Sequence, residues 1–125
     1  MKRNMTHLLL HALVAIAANT IAGSVFAQGT GMHADLLKRA LAESSKGKCS
    51  PDIMSPMLRG ACEQQMPGMS QMLTNKGTVL SVEFMGTQTS GMGPAEVYKV
   101  KFSAGTMMWM INTGPDGKIL VFWGN

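Results

Sequence analysis

The chain has few of the groups that catalytic and nucleic-acid-binding proteins depend on. Only 14% of its 125 residues are charged, and it contains three histidines, two cysteines and one tyrosine. Its lysines and arginines form no cluster larger than pairs such as Lys38-Arg39. The electrostatic footprint of a nucleic-acid-binding surface is therefore missing, and we exclude nucleic acid as a partner.

The first 27 residues have the composition of a removable export signal. Lys2 and Arg3 are positive, residues 8–22 are largely apolar, and residues 25–27 place small side chains where a signal peptidase reads them. A membrane anchor is the alternative, but polar residues interrupt the apolar run and no basic stop-transfer cluster follows. No cysteine lies near the cleavage site, which argues against a lipid anchor.

Cleavage after Ala27 leaves 98 residues, a length that suits one domain. The net charge falls from +4 to +2, because two of the 11 basic residues leave with the signal. We therefore predict a signal peptide over 1–27 and a single domain over 28–125. We expect a periplasmic or secreted protein without stable membrane insertion after cleavage.

Cys49 and Cys62 both lie in the exported part, where an oxidising compartment favours a disulfide. A continuous helix between them would separate their Cα atoms by about 20 Å, whereas a disulfide needs less than about 7 Å. The bond therefore requires a break in the helix, for which Pro51 and Pro56 are the candidates. The alternative is two thiols, with Cys62 packed as a small core residue.

Two helices are predicted before the strands begin. In the first, over residues 34–46, the apolar side chains fall on one side; they are Leu36, Leu37, Ala40 and Leu41. The second starts near Ser50 or Ser55, each of which precedes a proline, as an N-cap residue often does. Pro67-Gly68 is expected to interrupt it.

Residues 77–124 contain four runs of alternating apolar residues that are separated by turn-forming residues. The side chains that we place on the inner face are Leu80, Val82, Phe84, Tyr98, Val100, Phe102, Met107, Trp109, Ile111, Ile119, Val121 and Trp123. Helices followed by a run of strands indicate an α+β fold. We predict N-terminal helices packed on a four-stranded antiparallel β-meander.

The strand half resembles small NTF2-like domains of the cystatin-like α+β group, which are often appended to serine hydrolases of the β-lactamase type. The matching pattern consists of Gly77-x-x-Leu80-Ser81-Val82-Glu83-Phe84-x-Gly86, Val97-Tyr98-x-Val100-x-Phe102-x-x-Gly105, Trp109-x-Ile111 and Asp116-Gly117-Lys118-Ile119. The helical half matches by order and length only. The resemblance implies a sheet curled around the helices into a cone with an apolar mouth, here standing alone because the chain is too short to include a hydrolase domain.

Enzymes of that wider group place a carboxylate or histidine with a tyrosine inside the cone for proton transfer. His33 and Tyr98 are the main candidates in the exported part, whereas we assign Asp116 to a hairpin turn and Glu83 to the outer face. No acid–base pair follows from their positions along the chain. We predict a non-catalytic domain without a cofactor, and a proton-transfer enzyme with a pocket around Tyr98 is one alternative.

The exported part is rich in methionine, with eleven of the thirteen in the chain. Met66, Met69 and Met72 have the spacing of thioether copper(I) sites, since soft sulfur ligands suit that ion. A periplasmic copper(I)-binding protein is therefore a second alternative. Methionines at this spacing also form ordinary buried helix faces, and we favour core packing.

The remaining apolar side chains of the strands suggest a binding role. Tyr98, Met107, Trp109 and Trp123 are the candidates for lining a ligand pocket. The side chains predicted on the other face of the last hairpin are apolar as well. The partner-surface candidates there are Met108, Met110, Leu120 and Phe122. A hairpin that is apolar on both faces favours a partner. We predict an exported binding domain that holds an apolar ligand or a partner on its curved sheet, the partner being a second copy or another envelope protein.

Overall fold

The computed structural model describes residues 31–125, so the predicted signal peptide lies outside the described residues. Helices α1 (Ala34–Ser45) and α2 (Pro56–Lys76) precede strands β1 (Val79–Ser90), β2 (Gly93–Phe102), β3 (Gly105–Thr113) and β4 (Ile119–Gly124). The strands lie in the order β1-β2-β3-β4, each antiparallel to the next. Two helices packed on an antiparallel meander confirm the predicted α+β fold.

The core lies between the helices and the inner face of the sheet. Helix α1 buries one stripe of side chains, namely Leu37, Ala40, Leu41 and Ser44. It ends before Gly47, whose φ of 79° is a left-handed conformation that glycine adopts without strain. The sheet contributes Tyr98, Val100, Trp109 and Ile111, all of which are buried.

Helix α2 begins at the later of its two predicted starts. The Ser55 side chain accepts a hydrogen bond from the Leu58 N–H at 3.2 Å, and Pro56 occupies the first turn. The residues between Cys49 and Pro56 are therefore not helical, which brings the Cα atoms of Cys49 and Cys62 to 5.9 Å. The two cysteines form a disulfide, and the predicted break between them is confirmed.

The predicted interruption of α2 at Pro67-Gly68 is wrong, because the helix continues through both residues to Lys76. Pro67 has no N–H to donate to the Glu63 carbonyl, so one helical hydrogen bond is lost. Both residues are exposed, so neither disturbs the core. The turns on either side are held by buried side chains, which are Cys62, Met66 and Leu73.

Irregular pairing in β1 places Leu80 outside the core. Val79 pairs with Phe102 and Ser81 pairs with Lys101, so Leu80 has no partner of its own. Its side chain is 61% exposed. The predicted inward position of Leu80 is therefore wrong, while Val82 on the same strand packs against the core as predicted.

An irregularity in the pairing of β3 with β4 reverses the expected faces at the end of the chain. Asn112 pairs with Val121 but Thr113 pairs with Ile119, which leaves Leu120 unpaired. Beyond this point the side-chain alternation is shifted by one residue. The predicted outward position of Phe122 is wrong, because it is buried and its ring stacks on Trp109 with centroids 4.7 Å apart. The predicted inward position of Trp123 is also wrong, since its side chain is 56% exposed.

Candidate functional site

A polar cluster joins the residues before α1 to the inner face of the sheet. The His33 Nδ1 atom is hydrogen-bonded to the Glu96 carboxylate, and its Nε2 atom lies 3.0 Å from the Thr113 hydroxyl. The Met32 N–H donates to both Glu96 carboxylate oxygens, at 3.0 and 2.8 Å. The His33 N–H donates to the Tyr98 hydroxyl at 3.1 Å. Five residues from three parts of the chain therefore form one hydrogen-bonded network.

Glu96, His33 and Thr113 are connected in the order carboxylate, imidazole, hydroxyl, which is the connectivity of a nucleophilic triad. The surroundings of the network favour a structural role for it. Tyr98 is fully buried, and a Cβ atom on Gly31 would overlap both the Tyr98 hydroxyl and the Glu96 carboxylate. The backbone of residue 31 therefore lies directly over the two groups. The cluster fastens residues 31–33 to the sheet.

The environment of Tyr98 makes its ionisation a reporter of this cluster. Burial raises the pKa of Tyr98; the hydrogen bond from the His33 N–H lowers it, and the charge and hydrogen bonding of Glu96 raise it. Because Tyr98 is the only tyrosine, an ultraviolet absorbance titration reads it alone. We expect a midpoint above the usual value of 10.0 in the folded protein, and a return to that value in urea.

The sign of the linked stability follows from the raised pKa. The folded state holds the Tyr98 proton more tightly than the unfolded state, so this contribution is complete below pH 10.0 and is lost as the pH rises through the folded pKa. The Tyr98→Phe variant should lose less stability than the parent over that range. A folded midpoint at or below 10.0 would contradict the buried environment of the hydroxyl.

A groove of about 550 Å³ opens between α2 and the free edge of β4. No charged residue lines it. The lining residues are Gln64, Gln65, Pro67, Gly68, Met69, Met72, Trp109, Phe122, Trp123 and Gly124. Aromatic rings and thioethers thus form the greater part of its apolar wall, a composition typical of ligand-binding pockets.

Two glycines give this groove its shape. A Cβ atom on Gly124 would overlap the Trp109 ring, so glycine allows β4 to lie against the indole. A Cβ atom on Gly68 would meet nothing within 4 Å, so the space above this turn of α2 is open. The Trp109 indole N–H is buried and has no acceptor among the described residues. The groove is therefore open on the α2 side and closely packed on the sheet side.

The structure separates the predicted pocket residues into two groups. Trp109 and Trp123 line the groove, although Trp109 is itself only 1% exposed, and Tyr98 and Met107 are not among its lining residues. Trp123 lies at the edge of the sheet, paired with Met110 on β3. Both tryptophans of the chain therefore lie at one site.

The partner-surface candidates are likewise divided. Met108 and Met110 are half-buried on β3, and Leu120 is half-buried at the irregularity of β4. Phe122 lines the groove instead. The proposed continuous apolar face of the last hairpin therefore loses one of its four members.

The copper candidates do not share one environment. Met69 and Met72 line the groove, while Met66 is buried in the core at 8% exposure. In a continuous helix, positions three residues apart are about 60° apart around the axis and positions six apart are about 120° apart, so Met66 and Met72 point in clearly different directions. Two of the three thioethers therefore face the groove.

Glu96 and Thr113 are the residues of the polar cluster that sequence reasoning missed. Glu96 has the parity of Tyr98, Val100 and Phe102 along β2, all of which are buried. A carboxylate at an inward position needs a partner, because burying an unpaired charge is unfavourable. The inward position of Glu96 in the alternation of β2 could therefore have predicted a cationic or hydrogen-bonding group beside it.

No family model, curated protein or solved structure matches this chain. None of the helices in residues 31–125 has the length and apolar character needed to cross a membrane. Within the same residues, no three His, Cys, Asp or Glu side chains are grouped to hold a metal ion.

Proposed function

We propose that this protein is an exported, non-catalytic binding domain that holds an apolar ligand or a segment of a partner protein in the groove between α2 and β4. The observation that carries the proposal is the uncharged aromatic and thioether lining of the groove. Trp123 supports it, because a large aromatic side chain that is 56% exposed beside an apolar groove favours an occupant.

The proposed location outside the cytoplasm has support in the Cys49–Cys62 disulfide, because such bonds persist in oxidising compartments. Helices packed on a four-stranded meander are also what the resemblance to small NTF2-like domains implies. Membership of that group is part of the proposal. A homodimer through the sheet is also part of it, because the half-buried Met108 and Met110 offer apolar surface.

The two alternative functions have less support. A copper(I) site at Met66, Met69 and Met72 would need the buried Met66 thioether to leave the core. A proton-transfer site at Tyr98 would need a route to a hydroxyl that lies beneath Gly31. Neither movement is needed for binding in the groove.

The groove can be tested by filling it. Gly60 and Gly68 both lie within α2, and a Cβ atom on either would meet nothing within 4 Å. Only Gly68 lines the groove. We expect Gly68→Leu to weaken binding of the neutral apolar dye N-phenyl-1-naphthylamine by at least about tenfold, equivalent to about 1.4 kcal/mol, and Gly60→Leu to leave it unchanged.

Energy transfer from tryptophan to the dye is the appropriate measurement, because Trp109 and Trp123 both line the groove. Leucine is a better helix former than glycine, so neither variant should destabilise α2. Circular dichroism before each titration checks this. Equal affinity of the Gly68→Leu and Gly60→Leu variants, or no transfer to the dye in the parent protein, would overturn the proposal.

A further inference from the structure

We infer that the groove receives its occupant as an extended, uncharged peptide segment of a partner protein, which adds a strand to the free edge of β4. The inference depends on the proposed function, because it concerns the same groove. It adds the mode of binding and the chemistry of the partner.

The backbone of β4 supplies the first argument. Asn125 and Met108 exchange two hydrogen bonds, at 3.0 and 3.1 Å. In an antiparallel pair, every second residue exchanges hydrogen bonds with the neighbouring strand. Trp123 is therefore the next residue of β4 that is hydrogen-bonded to β3. Phe122 and Gly124 therefore direct their N–H and C=O groups away from β3. Since β4 is the last strand in the sheet order, these groups point to its open edge, and the same two residues line the groove.

The beginning of the same edge is already paired with an added segment. The Ile119 N–H donates to the Ile53 carbonyl at 2.7 Å, and the Ser55 N–H donates to the Ile119 carbonyl at 2.9 Å. This short pairing is parallel, with Met54 opposite Ile119. A peptide in the groove would pair with the edge of β4 beyond the point where the pairing with residues 53–55 ends. The free stretch is thus continuous with an established backbone interface.

The opposite wall can accommodate a peptide backbone. Pro67 cannot donate to the Glu63 carbonyl, so this carbonyl lacks its usual helical partner. Gly68 beside it leaves open space. Adjacent strands need a separation of about 4.8 Å, and a larger side chain at this position of α2 would occupy that space. The α2 wall is therefore unobstructed at Gly68.

The charge of the groove defines the partner further. None of its lining residues is charged, and Gln64 and Gln65 are its neutral polar members. A charged side chain entering it would lose water without gaining a countercharge. The matching occupant is therefore a segment in which apolar residues alternate with small uncharged ones, so that its apolar side contacts the half-buried Met69 and Met72 thioethers.

The probe is a capped seven-residue peptide in which valine alternates with threonine, compared with the same peptide N-methylated at alternate amides. Methylation removes the backbone donors and leaves the apolar side chains. We expect the parent peptide to slow hydrogen exchange of the Phe122 and Gly124 amides by at least about tenfold at saturation. The N-methylated peptide should bind at least about tenfold more weakly.

Three results would overturn strand addition: equal affinity of the two peptides, binding without protection of the Phe122 and Gly124 amides, or no peptide binding while the apolar dye still binds. Protection that grows with protein concentration and needs no peptide would identify a second copy as the occupant and would also overturn it. If neither dye nor peptide binds, the proposed function itself fails. The Gly68→Leu variant should abolish the peptide effect and Gly60→Leu should retain it.

Discussion

Replacing Glu96 by alanine is expected to lower the free energy of unfolding by about 3 kcal/mol, because its largely buried carboxylate is hydrogen-bonded to the Met32 N–H and the His33 ring, and each hydrogen bond to a charged group contributes about 1.5–3 kcal/mol. The side chains of His33 and Glu96 are only 16% and 10% exposed, so water replaces their contacts poorly. The Met32 N–H would lose its acceptor in the same substitution. We expect no larger loss, because residues 31–33 can detach from the sheet and regain water.

Urea denaturation provides the measurement, and Glu83→Ala is the matched control. Glu83 is exposed on the same sheet, where such substitutions change stability by less than about 0.5 kcal/mol. In a double-mutant cycle, His33→Ala should have little further effect once Glu96 is absent. Equal losses for Glu96→Ala and Glu83→Ala would show that the polar cluster does not contribute to stability.

The sequence predicted the elements well, because their periodicities are local. The stripe ending in Ala40 and Leu41 and the alternation around Val100 both describe the observed core. The faces of individual residues were harder to predict, because a single unpaired residue breaks the regular alternation of side chains along its strand. Leu80 and Leu120 occupy such positions, and nothing in their identity distinguishes them from paired residues.

The candidate site was harder still to predict, because its contacts are distant along the chain. His33 and Glu96 are 63 residues apart, and neither position implies the other until the fold is known. The groove depends on Pro67 and Gly68 remaining helical, against their local preference. Buried side chains before and after them, Met66 and Leu73, pack into the core, which is a tertiary effect.

Removing the Cys49–Cys62 disulfide is expected to lower the free energy of unfolding by about 3 kcal/mol, the value that the chain-entropy model gives for a loop of this size. The two cysteines are 13 residues apart. The loop between them contains Ile53 and Met54, which are buried and meet the first residue of β4. The bond therefore restricts the unfolded chain where folding must bring a loop, a helix and a strand together.

Urea denaturation of the oxidised protein, the phosphine-reduced protein and the Cys49→Ala/Cys62→Ala variant tests this. The variant should lose slightly more than the reduced protein, because Cys62 is 4% exposed and alanine leaves its site underfilled. Dye binding below the unfolding range should be unchanged in all three, since neither cysteine lines the groove. A loss below about 1 kcal/mol would contradict the chain-entropy argument. Weaker dye binding after reduction would instead show that the loop shapes the groove, because residues 53–55 pair with the same edge of β4.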